Sequence, residues 1–108
     1  MNDEPLELVH GSGNVFADFG YPNADVEQLK ARLAARIIGV LDDRALTVRD
    51  AAALTGVAAA DFSRIRKTRL DHFTIDRLMT ILNRLDQDID VQITVRPRRE
   101  VADRPVAL

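Results

Sequence analysis

Beyond residue 23 the apolar positions recur at intervals of three and four. Val26, Leu29, Leu33, Ile37 and Val40 form one stripe, with Lys30, Arg32 and Arg36 off it. This spacing predicts a long first helix, capped by Asn23 or Asp25 and running to about Asp43. Arg44 to Leu46 form a connection. Thr47 can then cap a second helix, whose apolar face of Val48, Ala51, Ala52 and Leu54 ends at Gly56. The pattern resumes with Val57, Phe62 and Ile65, as it would if a glycine accepted positive φ while the chain turned sharply into a third helix. Leu70 and Phe73 are apolar residues in a loop, suited to plug the base of a bundle. Thr74 caps a further helix striped by Ile75, Leu78, Met79, Leu82 and Leu85, with Met79 read as core.

At Asp88 the period changes from 3.6 to 2. Asp88, Asp90, Gln92 and Thr94 alternate with Ile89, Val91, Ile93 and Val95, which predicts a strand that Pro97 stops. No other segment reads convincingly as its partner, so its backbone groups are expected to pair outside the chain. The simplest solution is a homodimer in which two strands join antiparallel, with Ile89, Val91, Ile93 and Val95 at the interface. Addition to a partner's sheet and a hairpin with the N-terminal arm are the alternatives. The expected fold is a mostly helical bundle of four or five helices with one C-terminal strand. The expected layout is a flexible acidic segment over 1–13, a domain over 14–96 with its motif at 47–67, and a flexible tail over 97–108.

The stretch from Thr47 to Arg69 resembles the helix-turn-helix of the Xre/Cro repressor family. The likeness rests on a small residue at Ala52, the turn glycine Gly56, and apolar Val57, Phe62 and Ile65. The wider run from Asn14 to Arg98 is similar to short regulators of that family, HigA-like antitoxins of toxin-antitoxin modules among them. The resemblance implies a lambda-repressor-like bundle whose second motif helix enters the DNA major groove, and hence a repressor of its own operon. It also implies an alternative, a protein that chiefly neutralises a small toxin.

Under that resemblance each exposed residue of the motif acquires an expected role. Arg49, Arg66, Lys67, Arg69 and the Thr47 hydroxyl would hold phosphates, as would helix N-terminal amides. Ser63 and Arg64 would read bases, Arg64 being able to reach a guanine edge. Ala58, Ala59 and Ala60 depart from the family pattern, which often has Gln or Ser at groove-facing positions; alanine touches a thymine methyl but makes no paired hydrogen bonds. Asp61 has three readings: acceptor from a cytosine amine, helix cap, or a charge that repels phosphate. A dimer would place the two reading helices one DNA turn apart on an inverted-repeat operator.

Composition refines this picture in three places. Net charge is −2 over 108 residues, yet residues 1 to 25 hold five acidic and no basic side chains, leaving +3 on the remainder, with four cations between Arg64 and Arg69. A local patch attracts phosphate regardless of the total. Val15, Phe16, Phe19 and Tyr21 concentrate most of the aromatic content in an arm that either folds over its own core or docks on a partner such as a toxin. The absence of cysteine removes disulfides and thiolate metal sites, and no leader-like or membrane-length apolar run is present, giving the expectation of a soluble cytoplasmic protein. No enzyme, cofactor or metal is expected. His10 and His72 are separated by the core, and Asp86, Asp88 and Asp90 lack the glycine and closing glutamate of a calcium loop.

Overall fold

The computed structural model describes Gly20 and residues 23–98, and among these described residues there are four α-helices: α1 (Ala24–Asp43), α2 (Val48–Thr55), α3 (Ala59–Arg66) and α4 (Ile75–Arg84). The longest, α1, packs chiefly on α4 and also on α3, while α2 crosses α3 and touches α4. One core results, built from Ile37 and Leu41 of α1, Ala51 of α2, Phe62 and Ile65 of α3, and Leu78, Ile81 and Leu82 of α4. Leu85 and the loop residues Leu70 and Phe73 close it at the ends. Val15, Phe16, Phe19 and Tyr21, the acidic segment over 1–13 and the tail beyond Arg98 lie outside the described residues.

Helix α1 departs from its sequence reading. Its inward row is Lys30, Leu33, Ala34, Ile37 and Leu41, whereas Val26 and Leu29 are 41% and 42% exposed. The reason is the drift of a 3.6-residue period: 26, 29, 33, 36 and 40 form one row, 30, 34, 37 and 41 the next, and Leu33 borders both. The cap also differs. Asn23 is in the left-handed region with φ 55° and makes no side-chain cap bond; its carbonyl instead accepts from the amides of Val26 and Glu27. Asp25 and Glu27 fall within the first turn, where carboxylates suit the positive end of the helix.

Lys30 lies inward because its stem is buried and its ammonium finds an acceptor. Nζ donates to the Leu70 carbonyl at 3.2 Å and lies 3.7 Å from Glu27. Two arginines use carbonyls in the same way: Arg44 Nη1 donates to Leu85 O at 3.0 Å, and Arg84 Nη1 to Thr55 O at 3.2 Å. These bonds satisfy loop and helix-end carbonyls that have no partner within their own helix. Lys30→Met keeps the buried stem and removes the donor, so urea denaturation is expected to show a loss of about 1–3 kcal/mol. An unchanged midpoint would mean that the Phe73 amide, which also donates to the Leu70 carbonyl at 3.0 Å, satisfies that carbonyl alone.

The strand expected over 88–95 is not seen among the described residues. Among the described residues, 88–98 have no regular secondary structure and make no backbone hydrogen bond. Ile89 packs partly against the core, whereas Val91, Ile93 and Val95 are 61%, 80% and 87% exposed. A strand is defined by its ladder, and the described part of one chain supplies no second edge.

Candidate nucleic-acid interface

The motif is held by local bonds that its sequence dictates. At the start of α2 the Thr47 hydroxyl accepts from the Asp50 amide at 3.0 Å and Asp50 Oδ2 accepts from the Thr47 amide at 3.1 Å, a reciprocal capping box. The Thr47 oxygen is thereby used as an acceptor, and its proton remains available to donate. At the other end Gly56 has φ 78° and its amide donates to Ala52 O at 2.8 Å. A Cβ there would meet nothing closer than 3.9 Å, so the glycine answers to backbone conformation and not to space. Thr55, buried, donates to Ala51 O and accepts from the Val57 amide, fixing the turn from inside.

With Val57, Phe62 and Ile65 buried, the rest of the second helix is turned outward. Ala58, Ala60, Arg64, Arg66 and Lys67 are exposed, as are Thr47, Arg49 and Arg69, while Ala59, Asp61 and Ser63 are half-buried. Every residue expected to meet DNA is therefore at least partly accessible. The structure further separates the cations into engaged and disengaged groups. Arg66 Nη2 pairs with Asp42 Oδ1 of α1 at 2.8 Å. Arg49, Lys67 and Arg69 form no ion pair among the described residues.

Asp61 is engaged most heavily of all. Its Oδ1 accepts from Arg64 Nη1 at 2.8 Å and its Oδ2 from Arg77 Nη2 at 3.3 Å. Of the three expected roles, capping is not the one adopted: α3 has no side-chain cap bond, and the carboxylate is shared between two guanidinium groups. Arg77, in the first turn of α4, was missed by sequence reasoning. It is sixteen residues from Asp61, and no periodic signal reports a contact between the reading helix and the next one. The neighbouring Asp76 carboxyl is held below its ordinary pKa, chiefly by a hydrogen bond with Thr74, whose hydroxyl also accepts from the Arg77 amide.

Two packed helices joined by a left-handed glycine turn, the first capped and the second with an exposed basic end, can be set against known proteins. A family model described as "Helix-turn-helix domain" matches residues 15–94, more than half of the chain. A solved structure described as a candidate XRE family transcriptional regulator is 40% identical, with a TM-score of 0.64 over 71% of this chain and 86% of that one. The chain is an XRE-type helix-turn-helix protein. No curated protein matches it. The family match to this XRE-type chain runs from Val15 to Thr94, taking in the aromatic arm and most of the alternating C-terminal stretch as well as the motif. No described helix of the XRE-type chain is long and apolar enough to cross a membrane.

Proposed function

We propose that this XRE-type chain is a sequence-specific, DNA-binding transcriptional regulator that represses its own operon. The observation carrying the proposal is the set of exposed cations Arg64, Arg66, Lys67 and Arg69 at and just beyond the C-terminal end of α3, a helix whose opposite face is locked into the core. Lys67 and Arg69, with Arg49 and the Thr47 proton, contact backbone phosphates and set the register. Ser63 and Arg64 read base edges, and Ala58 and Ala59 give at most an apolar contact to a thymine methyl. Asp61 orients Arg64 and Arg77 together, and Arg66 exchanges Asp42 for phosphate.

The regulator acts as a homodimer joined through residues 88–95, a reading supported by the exposure of Val91, Ile93 and Val95 in a single chain. Its two α3 helices then meet successive major grooves about 34 Å apart on an inverted repeat. A second reading, an antitoxin that chiefly binds a small toxin, is favoured by the alanines at the start of α3 and by the internal engagement of Arg64.

Anisotropy with the chain's own promoter against random DNA of equal length, across a salt series, separates the two. Tight, salt-sensitive binding that prefers the promoter is expected. Equal binding to both would move the function to the protein partner. Within that assay Arg64→Ala is expected to lower promoter preference by about 5–100-fold, the worth of a bidentate base contact. Arg69→Ala is expected to weaken promoter and random DNA alike. Equal losses on both DNAs for Arg64→Ala would remove its assigned role in base reading.

A further inference from the structure

Residues 88–98 carry charge in an ordered way. On the polar face Asp88 and Asp90 stand at one end and Arg96 and Arg98 at the other, and none of the four forms an ion pair among the described residues. An antiparallel pair about a two-fold axis brings that face against a copy of itself in reverse. Only registers centred on a residue keep apolar opposite apolar, because a shift by one flips every side chain.

Centring on Ile93 places Asp88 opposite Arg98 of the second copy and Asp90 opposite its Arg96. Gln92 then meets Thr94, Val91 meets Val95, and Ile93 meets itself. Centring on Gln92 leaves only Asp88 with Arg96, since Asp86 has φ 67° and falls outside an extended run. Centring on Thr94 leaves only Asp90 with Arg98. Pro97 sets the phase: lacking an amide proton, it belongs in a non-hydrogen-bonded pair, which puts Ile93 and the other odd positions in such pairs.

A two-stranded ribbon alone is marginal in water and requires its apolar face to be covered. The start of the segment, Asp88 and Ile89, forms one wall of a groove whose other lining includes Leu33, Arg36 and Val40 of α1 and Leu82 of α4. Helical spacing extends that row to the exposed Val26 and Leu29.

We infer that the occupant of this surface is a second copy of the same chain. Residues 88–98 of two copies pair antiparallel about an axis at Ile93, matching Asp88 and Asp90 to Arg98 and Arg96, and their apolar face covers the exposed row of α1. This rests on the dimer reading above and specifies its register.

The chain has no cysteine, so single-cysteine variants give a clean background. In a non-hydrogen-bonded pair opposed Cα atoms lie ~4.5 Å apart, within disulfide range. On mild oxidation of the full chain, Ile93→Cys is expected to form the covalent dimer fastest, ahead of Gln92→Cys and Thr94→Cys. Asp90→Arg and Arg96→Asp are each expected to raise the dimer dissociation constant about tenfold, and the double reversal to restore it. A cross-link peaking at Gln92→Cys or Thr94→Cys, or a double reversal no better than the singles, overturns the register while leaving the dimer. A dimer by light scattering that cross-links at none of the three overturns the strand interface. A monomer at micromolar concentration overturns the dimer reading itself.

Discussion

Phe62→Ala is expected to cost about 3–5 kcal/mol of folding free energy, read as a fall in the urea midpoint with little change in slope. Phe62 is fully buried and belongs to the same core cluster as Ile37, Ala51, Ile65 and Leu78, so it joins side chains from all four helices. Truncating the ring leaves a void in a close-packed core. Set against a total of about 5–15 kcal/mol for a single domain, such a loss leaves a substantial unfolded fraction at 37 °C. The same side chain fixes the roll of α3, so DNA binding should fall with folding. A loss below about 1.5 kcal/mol would show that α2 and α3 collapse together over the vacated space.

Ile93→Asp is expected to abolish the dimer and to lower operator affinity by about 10²–10⁴-fold, the advantage that linkage gives to two half-site contacts. In the single chain Ile93 is 80% exposed, so the thermal midpoint of the dilute monomer should not move. That contrast separates an interface residue from a core residue. At the proposed axis the two aspartates would face each other across a desolvated pair, where like charges repel strongly. Sedimentation equilibrium reads the dimer, anisotropy reads the operator, and circular dichroism reads the fold. Retained dimerisation would remove residues 88–95 from the interface.

Much of the framework was legible because its signals are local. Thr47, Gly56 and Thr74 mark helix ends by chemistry confined to one turn, and Val57, Phe62 and Ile65 were inward for reasons of spacing alone. The first stripe was legible only in part. Val26 and Leu29 continue an apolar pattern beyond the point where neighbouring helices cover it, and periodicity cannot tell a covered row from an adjacent bare one. Lys30 was placed off the stripe because the burial of its amine depends on a carbonyl forty residues away. The pairing of the Asp61 carboxylate with Arg77 was not legible for the same reason, since that partner is on a different helix. The alternating stretch at 88–95 was legible as a pattern, but its secondary structure depends on a second edge that the described part of one chain does not contain.

Arg84 reaches from the end of α4 to the Thr55 carbonyl, beside the motif's turn. The turn therefore has no opening of its own: α2 cannot swing from α3 until a contact made from the end of α4, 29 residues further along the chain, lets go. In native-state hydrogen exchange the amides of Gly56 and Val57 should share the opening free energy and denaturant dependence of the α4 core amides, exchanging as one cooperative unit.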